Sequence, residues 1–447
     1  MTETKRRSPL GVLFLTVFVD LIGFSIIFPL FPFLLEYYFE LEGSDSLIGR
    51  VHATLTDLAG GEGAERDFYT IVLFGGALGS LYSILQFVFA PIWGRISDRH
   101  GRKPILLVTI AGLTLSYLIW VFSGSFALLI LSRLLGGAMG GNIAVASAAI
   151  ADVTDEKSRA KGMGVIGAAF GLGFILGPAI GGALSYVDLS GVGIPGLNPF
   201  SAAALGAGLL SLWNLVWVAR CFDESLPVEK RGAGAGSRRP INPFVLFRSF
   251  EFPGVTRTNI AYFVFLVAFA GMEFTLTFLA HDRFDYGRSD MVLMFVWIGF
   301  LIALVQGGIV RRVAPRFGET RVAIVGLALI VPGLVLTGMS TGQPVFYLGL
   351  TLLAVGSALA TACLTALVSL YAPGDRQGEV LGVFRSLGAL ARAVGPILAC
   401  AAYWKLGAAS PYYASAALMV VPILLALGLP PARRVESGTG SGTTPRA

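Results

Sequence analysis

Five ionisable side chains stand inside long apolar runs of the chain: Asp20, Arg133, Glu273, Arg385 and Arg392. A charge at the centre of an apolar helix costs about 2.5–3.5 kcal/mol on insertion scales, so such residues persist where they pair or face a cavity. Their types point to two chemistries. A carboxyl such as Asp20 or Glu273 can exchange a proton when desolvation and an approaching arginine act on it in turn. An arginine such as Arg385 or Arg392 can hold an anionic group with charge-assisted hydrogen bonds. Spacing adds to this: Asn259, Tyr262, Glu273 and Thr277 are separated by near-whole helical turns and share one face, and Arg385 and Arg392 share another. Ion pairs that only brace a helix bundle are the plainer reading of the same five residues.

A second concentration of charge reads GRISDRHGRKP (94–104), with Arg95, Arg99, His100, Arg102 and Lys103 around a single aspartate, Asp98. Basic residues beside an apolar segment resist translocation and fix its orientation, which accounts for all of them. The acid is different. Placed after a turn at Gly94, Asp98 can accept hydrogen bonds from Arg and Lys or from a helix N-terminus, whose dipole favours an anion.

These residues are carried by a very apolar chain of 447 residues, 55% hydrophobic and 13% charged, with a mean hydropathy of +0.75. Crossing roughly 30 Å of hydrocarbon takes about 20 helical residues, and runs of that kind recur throughout. The sequence therefore predicts an all-α membrane protein with twelve spans, near 10–34, 69–92, 104–122, 126–151, 161–187, 199–219, 256–280, 290–310, 322–338, 344–370, 379–403 and 412–429. Most of the 33 Lys and Arg residues lie in the tails and in the loops on the side of the N-terminus, which places both termini in the cytoplasm. The long segment 221–255 divides six spans from six. The expected organisation is thus a bundle over 1–220, a cytoplasmic linker over 221–255, a second bundle over 256–429 and a disordered tail over 430–447. In the acidic loop 35–68, Leu47, Ile48, Val51, Leu55 and Leu58 repeat at helical spacing and predict a short surface helix.

The two halves echo each other. Gly177-Pro178 recurs as Gly395-Pro396, and GRISDRHGRK aligns with RRVAPRFGET, pairing Arg99 with Arg316 and Gly101 with Gly318. Parallel six-span repeats that hold a substrate between them at the midplane are a transporter architecture. Other classes fit poorly. Cys221, Cys363 and Cys400 have neither disulfide nor metal-ligand spacing, so no metal or cofactor is expected. His52, His100 and His281 stand in no nucleophile–base set, which argues against an enzyme. No P-loop offers ATP drive. The net charge of +6 is spread over short loops, unlike a nucleic-acid face. His281, in AHDRF, reads as a proton relay or, more plainly, as a capping residue at a helix end.

GRISDRHGRKP resembles the motif between helices 2 and 3 of the major facilitator superfamily, Gly-x-x-x-Asp-Arg-x-Gly-Arg-Lys. RLLGG (133–137) resembles the Arg-x-x-x-Gly pattern of helix 4 in proton-coupled members, and GFILGPAIGG (173–182) the helix 5 motif of drug/proton antiporters. With FVDLIGFSIIFPLFP, the first half is similar to the tetracycline/proton antiporters. GMEFTLTFLAHDRF and FRSLGALARAVGP are more similar to the tetracycline-transporter-like proteins of animals, which are linked to organic anions. The resemblance implies the major facilitator fold, two pseudo-symmetric six-helix bundles. It implies an exporter of small amphiphilic compounds, tetracycline-like drugs or similar, that exchanges them for protons by alternating access. An organic-anion or lysolipid facilitator or symporter of the same fold is the alternative.

On this resemblance Asp20, Glu273 and Arg133 carry proton coupling, and Arg392, Arg385, Asn259, Tyr262 and Thr277 line the substrate cavity. Gly94, Asp98, Arg99, Gly101, Arg102 and Lys103, with Asp152, form a cytoplasmic gate that latches the halves. Pro315 stands where the second copy would repeat Asp98, so the latch is expected to be lopsided. Gly173, Gly177, Pro178, Gly181 and Gly182 form a hinge and seal; their small faces also permit close helix packing. The ninth span, VAIVGLALIVPGLVLTG, lacks the acid that tetracycline pumps use in helix 9, which points away from tetracycline itself. The expected partners are a small-molecule substrate, protons and the lipid bilayer of a bacterial inner or plasma membrane, with the protein a monomer and no nucleic acid bound.

Overall fold

A computed structural model of the chain describes residues 9–59, 64–154, 169, 172–173, 176–231, 252, 254–372 and 377–430. Every regular element among them is helical. Eleven helices are long and apolar enough to cross a membrane: Pro9–Glu42, Phe68–His100, Arg102–Val121, Phe126–Val153, Ser201–Cys221, Val255–Phe284, Arg288–Phe317, Glu319–Met339, Gln343–Tyr371, Val380–Leu406 and Ser410–Leu427. The remaining expected span, 161–187, falls partly outside the described residues, and its 176–184 stretch is helical. Most of the linker and all of the tail beyond residue 430 also lie outside them.

Local chemistry explains where the helices differ from the sequence reading. The first span breaks into Pro9–Ser25, a short 3-10 turn Phe28–Leu30 and Phe31–Glu42, because Pro29 supplies no backbone donor. It reaches Glu42, beyond the expected end near 34. No turn follows Gly94. The helix runs unbroken from Ala64 to His100, and the chain reverses only at Gly101, whose φ of +101° suits a residue without a Cβ. The surface helix in the first loop is present as Leu47–Ala59, with Ile48 buried.

Packing bears out the internal echo. A Cβ at Gly173 would lie 2.6 Å from the Leu21 Cβ, and Gly177 and Gly181 back directly onto Ser25 and the Ile26 carbonyl. The helix-5 motif is thus pressed against the first span. In the second half a Cβ at Gly395 would lie 2.6 Å from the Val267 carbonyl, so the glycine paired with Gly177 by sequence meets the first span of its own half in the same way. Gly182 instead faces Val292 across the two halves. On the outer surface, Leu209, Leu293, Phe300, Leu348 and Leu424 are exposed, as a lipid-facing belt requires.

The halves meet at the end remote from the termini. There Phe31 packs on Phe274 at 4.8 Å and Tyr69 on Tyr403 at 5.1 Å, while Arg288 donates to the Ser185 carbonyl at 2.8 Å. Toward the termini, Val145, Ala149 and Ile150 share one apolar cluster with Val380, Leu381 and Phe384. The Tyr371 hydroxyl donates to the Pro430 carbonyl at 2.6 Å, which seats the end of the last span beside the end of the Gln343–Tyr371 helix.

Because Gly395 meets backbone, Gly395→Val is expected to destabilise the protein by about 1–3 kcal/mol through overpacking. Gly191→Val, which has nothing within 4 Å, is expected to be nearly neutral. Thermal unfolding of the detergent-purified variants checks both.

Candidate substrate and proton site

Where the halves meet they leave a small, partly open cavity of about 30 Å³. Phe24, Phe28, Gly79 and Ser83 line it from the first half, and Ala270, Glu273, Phe274, Arg392 and Pro396 from the second. The close backbone contact at Gly395 sets the Val255–Phe284 helix against the Val380–Leu406 helix, and so brings Glu273 and Arg392 to the same wall. Arg392 lies within electrostatic reach of Glu273 and hydrogen-bonds to Tyr262. Tyr262 in turn faces Arg385 and stacks on Phe384 at a centroid distance of 3.9 Å.

The structure therefore gathers Glu273, Arg392, Tyr262 and Arg385, with Arg392 the one of the five expected lining residues that reaches this cavity. Tyr262 and Arg385 continue the polar track behind it. Asn259 is buried, and its side-chain oxygen has no hydrogen-bond partner. The Thr277 hydroxyl returns to the Phe274 carbonyl of its own helix at 3.3 Å and lies outside the cavity wall.

In the first half the Asn142 amide donates to the Asp20 carboxylate. Arg133 is only 3% exposed; its guanidinium lies 4.5 Å over the Trp120 ring and donates to the Ser132 hydroxyl at 3.1 Å. Among the described residues no ion pair joins Asp20 to Arg133. Instead Tyr82 and Tyr117 both lie within electrostatic reach of the two. The Tyr117 hydroxyl is buried without a partner and sits over Gly23, where a Cβ would meet it at 2.6 Å. Direct approach of Arg133 to Asp20 is thus not what this arrangement shows; an amide holds the acid and an indole holds the arginine. Asn142 was open to discovery, being a lone amide in an apolar run. Tyr82, Tyr117 and Trp120 were not, since aromatic residues fill membrane helices for many reasons.

The charged loop forms a compact unit. Arg102, 6% exposed, bonds Asp98 at 2.6 Å, Asp152 at 2.9 Å and the Ser97 hydroxyl at 2.7 Å. Glu224 accepts the backbone N–H of Arg102 at 2.8 Å and of Lys103 at 3.2 Å, satisfying the orphan donors at that helix N-terminus. Of the two partners the sequence offered Asp98, the structure shows the arginine, and the helix N-terminus goes to Glu224, at the start of the linker. Gly101 sits directly under the same carboxylate. Arg99 is exposed, and Gly94 has open space around it. Every one of these contacts lies within the first half and the start of the linker, so the described bonds brace three helix ends and do not span the two bundles.

A family model described as Major Facilitator Superfamily matches residues 13–396 and 309–445. The chain belongs to the Major Facilitator Superfamily. It is a multi-pass membrane transporter, in line with the two-sided cavity and the apolar exterior. It is 35% identical to the human Major facilitator superfamily domain-containing protein 10 over 441 residues, 95% of this chain and 93% of that protein. It is 30% identical to the class C tetracycline resistance protein of Escherichia coli over 399 residues, 89% of this chain and 90% of that protein. Its structure is similar to the crystal structure of the human organic anion transporter MFSD10 (TETRAN), with a TM-score of 0.74 at 34% identity, covering 95% of this chain and 100% of that one. Both relatives named by the sequence resemblance are therefore found, each across most of the chain.

Removing Arg102 leaves Asp152 beside a half-buried gap. Arg102→Ala is expected to destabilise by about 2–4 kcal/mol, less than a fully buried pair because Asp98 is half exposed. Arg99→Ala is expected to stay within about 0.5 kcal/mol. Thermal unfolding compares the two.

Proposed function

We propose that the chain is a secondary transporter of small amphiphilic organic anions, working by alternating access with both termini in the cytoplasm. The observation that carries this reading is a single arginine, Arg392, set beside an acid, Glu273, in an aromatic-walled cavity to which both halves contribute. The phenyl rings of Phe24, Phe28 and Phe274 suit an apolar body, and the guanidinium suits an anionic group. The printed title of the similar human structure, an organic anion transporter, agrees with that chemistry.

In the absence of substrate, Arg392 hydrogen-bonds Tyr262 and has Glu273 within electrostatic reach. A substrate carboxylate or sulfonate that reaches Arg392 displaces Glu273 as its counter-ion. Two anions beside one cation in a desolvated cavity is unfavourable, so Glu273 takes up a proton. Anion and proton then occupy the same state and cross together. Return of the unloaded protein requires Glu273 to lose that proton and re-engage Arg392.

A second reading, exchange of an amphiphilic drug for protons through Asp20, is favoured by the Asp20–Asn142 contact and by the glycine face of the helix-5 motif packed on the first span. The two readings differ in the direction of proton movement.

In proteoliposomes, Arg392→Ala is expected to weaken binding of an aromatic carboxylate by about ten- to a hundredfold, the worth of a charge-assisted hydrogen bond. Glu273→Gln is expected to keep anion flux but lose its dependence on the proton gradient, whereas Asp20→Asn keeps both. Undiminished anion binding in Arg392→Ala would overturn the reading. Loss of proton dependence in Asp20→Asn with Glu273→Gln unaffected would favour the drug/proton exchange instead.

A further inference from the structure

At the end remote from the termini, His281 on the Val255–Phe284 helix meets Glu36 on the Pro9–Glu42 span. Its Nε2 lies 3.3 Å from the Glu36 carboxylate, and its Nδ1 lies 3.1 Å from the Tyr286 carbonyl. The turn that places this carbonyl is tightly made: Asp285 adopts φ +52°, its N–H bonds the His281 carbonyl at 3.0 Å, and the Tyr286 N–H bonds the Ala280 carbonyl at 3.3 Å. Such a left-handed cap fixes the carbonyl beneath the ring. The Phe33 and Phe68 rings pack on the imidazole at 5.1 and 5.8 Å, which limits its rotation.

Both ring nitrogens thus face acceptors. A carbonyl oxygen accepts only, so Nδ1 carries a hydrogen. A carboxylate also accepts only, so Nε2 must carry one as well, or the carboxyl must be protonated. Either way the contact holds one proton more than a neutral imidazole and a carboxylate possess between them. The charged groups facing the ring are Glu36 from the first span and Asp285 from its own turn, both acidic. Of its helix neighbours, Asp282 bonds the Tyr403 hydroxyl at 3.4 Å, and Arg283 is held by the Gly338 and Ser340 carbonyls. Arg66 and Asp67, next to Phe68, have side chains outside the described residues.

We propose that His281 and Glu36 form an acid-held clasp between the two halves, so that acid keeps the end remote from the termini closed and alkali lets it open. The closed state binds the extra proton, and its advantage is therefore full at low pH and lost as pH rises through the titration of the pair. An unperturbed imidazole titrates near pH ~6.5, so the switch works over a range that membranes meet. The proposal uses only the separation of the halves from the reading above. It does not involve Arg392 or any substrate.

The test is a distance measurement on the full chain in lipid nanodiscs, with spin labels at Tyr186→Cys and Leu406→Cys. Both positions are exposed and lie at the remote end, one in each half. Cys221 is replaced, while Cys363 and Cys400 are buried. The expected result is that the long-distance, open population rises by roughly threefold or more between about pH 5.5 and about pH 8. Glu36→Gln lets the Gln amide donate to a neutral Nε2, so its populations should not change with pH. His281→Gln cannot hold both acceptors, so it should be more open at every pH and equally flat. A wild-type distribution that does not move with pH, or a pH response that survives in Glu36→Gln, overturns the clasp.

Discussion

A charge cannot be left against hydrocarbon, and the arrangement of this protein follows from that constraint. Arg133 is buried, Asp20, Glu273, Arg385 and Arg392 are half-buried, and large apolar side chains such as Leu293 and Phe300 take the exterior. An interior acid or base must then be given partners, and the helices are packed so that it has them. Glycines pressed on neighbouring backbone at Gly173, Gly177 and Gly395 bring the spans close enough for short polar side chains to reach across. Without the contact at Gly395, Glu273 and Arg392 would not share a wall.

The two halves solve the constraint differently although they repeat one plan. In the first, an amide satisfies the acid, and Trp120 covers the arginine by a cation–π contact. These are neutral partners, and they leave each charge in place. In the second, Arg392 hydrogen-bonds Tyr262 and has Glu273 within electrostatic reach. In the proposed cycle an incoming anion takes the place of Glu273 beside Arg392. The neutral partners thus lie in the first half, and the acid and the arginine that line the cavity lie in the second. The charged loop is likewise unequal: Arg102 ties Asp98 and Asp152 in the first copy, where the second copy has Pro315.

Much of this was legible in the sequence. Apolar run length gave the membrane class and most spans, and a charge inside such a run marked Arg133, which is buried, and Asp20, Glu273, Arg385 and Arg392, which are half-buried. Helical spacing also placed Tyr262 with Glu273, and Arg385 with Arg392. What spacing cannot give is the rotation of one helix against another, so the contact of Asp20 with Asn142 appears only in the fold. Thr277 shares a face with Glu273 but spends its hydroxyl on its own helix. Glu224 was hidden for another reason. It begins a segment with linker composition, and only the fold reveals that the segment starts beneath a helix N-terminus. Gly94 was read as a turn, yet an isolated glycine is tolerated in a helix, and the chain waits for Gly101.

The central claim is that Glu273 and Arg392 border a chamber reached by water between two bundles, and cysteine accessibility tests it most directly. Single cysteines at Ser83 and Ala270, on the cavity wall from opposite halves, would be exposed to a membrane-impermeant, charged thiol reagent in native membranes, beside a control cysteine at Leu293 on the outer surface. The account predicts that both wall positions react and that Leu293→Cys, facing acyl chains, does not. Reaction at Leu293→Cys with both wall positions inert would contradict it.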